Sequence, residues 1–351
     1  MTVTADPVRQ QPAPPPDASR RLVDRVFRAR ELAVALVLVL MLGATQLSNT
    51  EFLSEQGVKD LLLNATILVL VATGQAVVVI TRNVDLSVGS VLGICAFAAG
   101  IHLRDGGSPL AAVLLAVGLG ALFGVLNGAL VSLGKVPALV VTLGTLYIVR
   151  GIDSIWVGSR QITADALPAG FVDFGHDGIG VLPYLALLAT AVLAAVAYYL
   201  RSYHGGRDLY ALGSSPEAAR LAGIPVRARI MTAYVLCGAL AGLAGALYLA
   251  RFGNVDSATG NGYELTVVSA VVVGGVAFTG GSGTVYGAAL GALLLTSINS
   301  VLPAIGVSSV WVTAINGFLL LLAIAADRIL ALRVASALRK KAVRTRSARH
   351  A

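Results

Sequence analysis

Charge is what this sequence has least of. Only 13% of its 351 residues are Asp, Glu, Lys or Arg, where a soluble domain carries about 25%. Too little polar surface is present to cover a water-soluble globule of this length. Cysteine is scarce as well. Cys95 and Cys237 both fall in apolar stretches, so they read as packing residues, and no redox inference follows. The four histidines, His102, His176, His204 and His350, are scattered with no HExxH among them, which leaves metal-dependent intramembrane chemistry without support. Aromatics make up 6% and do not interleave with the basic residues. The net charge of +8 therefore does not mark a nucleic-acid surface.

What is abundant is apolar chain. Hydrophobic residues reach 56% and the mean hydropathy is +0.82. The apolar residues cluster into runs of roughly 20, the length a helix needs to cross about 30 Å of hydrocarbon. Spans are predicted near 32–48, 60–81, 86–103, 109–133, 137–157, 179–200, 229–251, 264–279, 284–303 and 309–326. The fold class expected is an all-α polytopic membrane protein with about ten transmembrane helices. Three regions follow: a disordered basic tail over 1–30 with five prolines in its first 20 residues, a transmembrane domain over 31–327, and a basic tail over 328–351. The first apolar run is as long as a full span and lacks a small-residue cleavage site, so it is not read as a secretory signal.

Ten spans place both ends on one side of the membrane. Putting them in the cytoplasm leaves most of the 26 Lys and Arg there, with only Lys59, Arg104, Arg150, Arg160 and Arg251 outside or within spans. The positive-inside rule supports that orientation. Glycine is also plentiful: 39 residues, where average usage of about 7% would give about 25. Pairs such as Gly120/Gly124 and Gly238/Gly242 have the small-xxx-small spacing that lets membrane helices approach closely. Spans two to five and seven to ten form a possible inverted repeat, offset by five spans, although no residue-level match between the halves is evident.

No energy source is visible in the chain. Gly128 to Gly134-Lys135 has the wrong spacing for a phosphate loop, and Val136 stands where a magnesium-binding Ser or Thr belongs. Gly281-Ser282-Gly283 with Gly287 lies between two spans and suits turning or tight packing, not dinucleotide binding. Asp60, Asp85, Glu264 and Asp327 fall near predicted span ends, while Arg150 and Asp153 sit three apart in span five and can pair. A proton-coupled carrier would be expected to place carboxylates deeper. The engine is expected on another subunit.

The longest connection on the basic side, 201–228, carries local helix signals. Ser215 is a suitable N-cap, Pro216 fits the first helical position, Glu217 complements the positive helix end, and Gly223 with Pro225 stops the run. The expected result is a rigid helix of about two turns, either packed on headgroups or docked into another protein. Glu217-Ala218-Ala219 followed by Gly223 resembles the EAA-type motif of bacterial ABC importer permeases, which implies a coupling helix that engages an ATPase subunit. Thr81-Arg82-Asn83-Val84-Asp85-Leu86-Ser87-Val88-Gly89-Ser90 resembles the signature of ribose-, xylose-, arabinose- and rhamnose-type permeases. Thr142-Leu143-Gly144-Thr145, Val273-Gly274-Gly275 and Gly280-Gly281-Ser282-Gly283 are similar to that family too. Arg82-Asn83 depart from it, because two glycines often stand there.

The resemblance covers roughly 58–327 and implies a type II ABC importer-like permease in the bacterial inner membrane. Its expected partners are an ABC ATPase carrying the ATP and magnesium, a periplasmic or lipid-anchored solute-binding protein, and a second permease subunit in a homo- or heterodimer. No cofactor is expected on this chain. Within the signature, Asp85, Leu86, Ser87, Gly89 and Ser90 serve either a capped, glycine-packed helix start, with Asp85 or Ser87 satisfying orphan amides, or a gate. A sugar offers hydroxyls and no charge, so uncharged polar residues are the pathway candidates: Asn64, Gln75, Asn127, Thr142, Thr145, Asn299 and Asn316. Each can equally be interhelical glue. The expected cargo is a monosaccharide, with a sugar-like signal of the autoinducer-2 type as the rival. A self-contained ion-coupled carrier is the alternative of another class.

Overall fold

A computed structural model describes residues 18–308 and scattered positions between 311 and 325, with side-chain surroundings from residue 31 onward. The expected tenth span, Asn316 and the 328–351 tail lie outside the described residues or on their fragments. Among the described residues the chain is almost wholly helical. Helices α1 (Ala18–Ser48), α2 (Glu55–Ile80), α3 (Val88–Arg104), α4 (Pro109–Ser132) and α5 (Ala138–Val157) lead to a short helix α6 (Ala169–His176). They are followed by α7 (Tyr184–Ser202), α8 (His204–Ser214), α9 (Pro216–Leu221), α10 (Val226–Phe252), α11 (Tyr263–Val273) and α12 (Val285–Ala304). A two-strand hairpin, β1 (Gly178–Ile179) and β2 (Leu182–Pro183), precedes α7. Seven helices, counting α1 from Glu31, are long and apolar enough to cross a membrane; α3 and α11 are shorter apolar helices.

Helix starts follow local chemistry. The side chains of Ser54, Ser108 and Thr284 each accept a hydrogen bond from a backbone amide of the first turn, in α2, α4 and α12 respectively. An amide left bare at a membrane boundary would be costly, so these caps fix where the helices begin. Four expectations need correction. Helix α1 already starts at Ala18, inside the stretch 1–30 read as disordered, because good helix formers follow the last proline of the tail. The expected span 179–200 opens as the β1–β2 hairpin before α7 begins. The expected span 264–279 is cut to an 11-residue helix, since the chain turns at Gly274-Gly275, with Gly275 at φ 95°. The loop read as carrying a single helix contains two, α8 and α9.

α2 is the central helix, buried along nearly its whole length, and α10 packs against it, α3 and α4. The α4–α10 contact is a backbone contact. A Cβ on Gly120 would meet the Gly238 carbonyl, and one on Gly238 would meet the Gly120 carbonyl, as close glycine packing between membrane helices requires. By contrast α4 and α5 turn Leu114, Leu122, Leu126, Ile148 and Ile155 outward. That is the disposition of lipid-facing apolar surface in a membrane bundle.

A repeat emerges at residue level. Asn83-Val84-Asp85 follows α2, and Asn254-Val255-Asp256 follows α10. In the first, Asp85 Oδ1 accepts from the Ser87 amide (2.9 Å) and hydroxyl (2.6 Å). In the second, Asp256 Oδ1 accepts from the Ala258 amide (2.9 Å) and the Thr259 hydroxyl (3.2 Å). The offset of 171 residues between the two aspartates is also that between Gly89 and Gly260, whose backbones touch: a Cβ on either would strike the carbonyl of the other. Equivalent positions in mutual contact mark a pseudo-two-fold axis. Five apolar helices, the shorter α3 and then α4, α5, α7 and α10, run from the first break to the second, the odd number that an inverted repeat requires.

Candidate functional site

The helix-stop chemistry of the coupling loop forms as local rules dictate. Ser215 Oγ accepts from the Ala218 amide (3.4 Å). At the other end Ile224 N–H donates to the Ala219 carbonyl (3.0 Å), and Gly223 takes φ 80°, a left-handed stop that glycine adopts without steric cost. Glu217, Ala218, Arg220 and Leu221 point outward, Leu221 at 87% exposure, while Ala219 faces the bundle.

α8 ties this helix to the membrane domain. Arg82 Nη2 donates to the Ser214 carbonyl (2.8 Å), the Gly281 amide to the Ile80 carbonyl (2.8 Å), and the Tyr210 hydroxyl to the Gly283 carbonyl (3.0 Å). Burial, with the Glu31 carboxylate adding to it, pushes the Tyr210 phenol up to about 12, so it stays a donor at all physiological pH. Arg229 and Asp208 pair across the base of the loop (2.8 Å). Three segments remote in sequence thus meet at one point: the end of α2, the end of α8 and the 280–283 glycine turn.

A few residues further along, the α2–α3 break holds a buried polar cluster. Asp85 is 2% exposed, not near a surface as its place at a span end suggested, because the break folds into the bundle. Asn127 Nδ2 donates to Ser87 Oγ (2.9 Å) and lies 3.4 Å from each Asp85 oxygen. Thr145 Oγ1 donates to Asn127 Oδ1 (2.7 Å). Thr142 Oγ1 and Tyr234 OH both reach the Val84 carbonyl (3.3 and 3.2 Å). With its amide set for complementary pairing, Gln75 donates to the Asp85 carbonyl (3.1 Å) and accepts from the Asp85 amide (3.2 Å). Of the alternatives for capping, Asp85 satisfies an orphan amide and Ser87 does not. The Ser87 hydroxyl is turned to Asp85 and Asn127, and it makes no cap bond. Ser90 Oγ donates to the Ser87 carbonyl (2.9 Å), Leu86 packs on Val84 and Val268, and Gly89 lets the 260–264 segment approach.

The pathway candidates divide. Gln75, Asn127, Thr142 and Thr145 converge on Asp85, whereas Asn64 and Asn299 line a separate cavity between α2, α10, α11 and α12. Arg150 does not close a tight pair with Asp153. Their nearest atoms are 3.9 Å apart, and Arg150 Nη1 instead donates to the Thr259 carbonyl (2.8 Å).

A short capped helix outside the bundle, bonded through α8 to a polar break inside it, is an arrangement for passing movement into a membrane domain. Comparison with known families agrees. The family model described as "Branched-chain amino acid transport system / permease component" matches residues 57–324. The chain belongs to this family. It is a permease subunit of an ABC importer, a multi-pass inner-membrane transport component that works with ATPase and binding-protein partners. Among similar proteins is the Autoinducer 2 import system permease protein LsrC of Enterobacter sp. (strain 638), 38% identical over 84% of this chain and 86% of the relative. The proteins of the same name from Shigella flexneri (36%, over 85% and 86%) and Salmonella paratyphi B (38%, over 83% and 84%) are also similar. No solved structure matches the chain.

Within this permease, sequence reasoning missed Tyr210, Gly213, Tyr234 and the second Asn-Val-Asp turn. The turn was detectable, since Asn-Val-Asp recurs two or three residues after the ends of α2 and α10. The contacts of Tyr210 and Gly213 had no local signal.

Proposed function

We propose that this permease imports a small, neutral, sugar-like solute, energised by an ATPase that docks on α9 through Glu217, Ala218, Ala219 and Gly223. The single observation that carries the reading is the junction of α8 with the α2 end and the 280–283 turn, which gives an ATPase movement a bonded route to Asp85, Ser87, Asn127 and Thr145. In this reading the Asp85 cluster gates the pathway, two permease subunits enclose it, and both chain ends face the cytoplasm. The basic residues flanking the spans support that orientation. For the cargo, relatives named for autoinducer 2 import favour a sugar-derived signal, and the Asp-Leu-Ser-Val-Gly-Ser signature favours the monosaccharide class in general.

Tagged wild type, purified beside Glu217→Arg and Gly223→Trp and analysed by mass spectrometry, tests the docking. An ATPase and a solute-binding protein with the wild type, and loss of the ATPase in both variants, is the expected result. Folded wild type that never brings an ATPase would sink the proposal and leave an ion-coupled carrier in its place.

A further inference from the structure

At the end of the bundle away from α8 and α9 lies a cavity of about 310 Å³ between α2, α10, α11 and α12. It sits where α10 ends, at Phe252, and in the later half of α12, whose start is next to the Gly283 carbonyl bonded by Tyr210. The volume equals that of about ten waters at ~30 Å³ each, the scale of one monosaccharide, and falls at the lower edge of ligand-site sizes. Among the described residues, no charged side chain lines it. Its polar groups are the Asn64 and Asn299 amides and the hydroxyls of Thr296, Ser300, Tyr263 and Thr266, the last of which donates to the Gly262 carbonyl (3.2 Å), with Phe252 adding a second ring.

Four of these groups face the cavity without a hydrogen bond inside the chain. Thr296 is 6% exposed. Among the described residues, the side chains of Asn64, Thr296, Ser300 and Tyr263 form no hydrogen bond within the chain. Asn64, Ser300 and Tyr263 are half-buried, so these polar groups remain accessible to a hydrogen-bonding solute that enters the space. Of the charged residues near the lining in sequence, Asp60 and Arg251 pair with one another (3.0 Å), and Glu264, next to Tyr263, has a carboxylate oxygen against Gly89 of α3. The described lining residues carry no charge to hold a zwitterionic amino acid, whereas a polyol can hydrogen-bond the hydroxyls and lay its C–H faces on the two rings.

We infer that this cavity is a transit site for the solute on its side of entry, and that its ligand is a neutral polyol of monosaccharide size. The inference rests on the importer reading. The test uses vesicles carrying the complete importer and labelled D-ribose, D-xylose, L-rhamnose, autoinducer 2 and L-leucine. Uptake of whichever polyol the wild type transports should fall about tenfold in Asn64→Leu and in Thr296→Val, the scale of one lost site hydrogen bond. Thr296→Ser should retain uptake, and the ATPase should co-purify with every variant. Unchanged uptake in Asn64→Leu and Thr296→Val, or wild type that carries L-leucine and none of the polyols, would overturn the assignment. Failure of the importer reading looks different, as wild type without an ATPase, and removes the basis of the site with it.

A second measurement does not depend on transport. Both native cysteines are buried, so Thr296→Cys can be labelled with methyl methanethiosulfonate over a low background. The transported polyol at saturation should slow that labelling several-fold. No protection would overturn the site.

Discussion

Gly213→Ala is the perturbation that most directly asks whether α8 transmits movement. Gly213 is the penultimate residue of α8, and an added Cβ would land on the Ile80 carbonyl oxygen and the Gly281 amide nitrogen. Those two atoms form the 2.8 Å bond between the α2 end and the glycine turn. The methyl must either push α8 away or break that bond. Overpacking of this kind costs about 1–3 kcal/mol, and an unpaired buried backbone group costs about 1–3 kcal/mol more. Alanine's better helix propensity returns about 1 kcal/mol, so the junction is weakened by roughly 1–5 kcal/mol. Helix α9 keeps its own cap at Ser215 and its stop at Gly223, so ATPase docking should persist. The expected phenotype is therefore uncoupling. The ATPase co-purifies, the detergent-solubilised complex elutes as a single species, and uptake in vesicles falls about fivefold or more, the rate equivalent of about 1 kcal/mol. Stimulation of ATP hydrolysis by solute-loaded binding protein is lost with it. Wild-type uptake and stimulation in Gly213→Ala would refute the idea that this junction carries the coupling.

Two further substitutions, with Gly144→Ala as a control, test the buried parts of the site. Gly89→Ala should destabilise the bundle by about 1–3 kcal/mol, because a Cβ there meets the Gly260 carbonyl and the Glu264 carboxylate, whereas Gly144→Ala, with nothing within 4 Å, should stabilise α5 by up to about 1 kcal/mol; thermal unfolding followed by size-exclusion chromatography in one detergent ranks the pair, and equal midpoints would refute the close approach across the pseudo-two-fold axis. Asn127→Leu strips Ser87 of its Asn127 donor and leaves Thr145 only the Val141 carbonyl to donate to, and the Asp85 carboxylate becomes under-satisfied. A loss of about 2–5 kcal/mol is expected, seen as a lower unfolding midpoint, and an unchanged midpoint would argue that the cluster is hydrated instead of closed.

The parts of this permease legible in the sequence are those whose cause is local. Hydropathy placed the spans because crossing a bilayer is a demand on each run of about 20 residues separately. Helix α9 was legible because Ser215, Pro216 and Gly223 act on their nearest neighbours in the chain. Where the reading slipped, either a local turn interrupted an apolar run or a neighbour distant in sequence decided. Gly274-Gly275 cut α11 short where an apolar run continued, and the 204–214 stretch, with two glycines in its first turn, is helical where a loop was read. Its buried Leu209, Leu212 and Gly213 pack it onto the bundle, which outweighs weak propensity.

The candidate polar residues show the same division. Composition selected uncharged amides and hydroxyls in apolar spans, and nothing in their spacing separated those around Asp85 from Asn64 and Asn299 at the other end. Nor did spacing show that Asp85, at the edge of a hydrophobic run, is buried and bracketed by Gln75 and Asn127. By itself the sequence determined that the chain spans a membrane, that it presents a capped helix outside it, and that it resembles sugar-importer permeases. Only the tertiary structure decided which polar groups meet, which glycines touch across the repeat axis, and how α8 is fastened to α2. Solvent acts on every residue in turn and leaves its mark along one dimension, whereas contacts between residues 80, 213 and 281 exist only once the helices have packed.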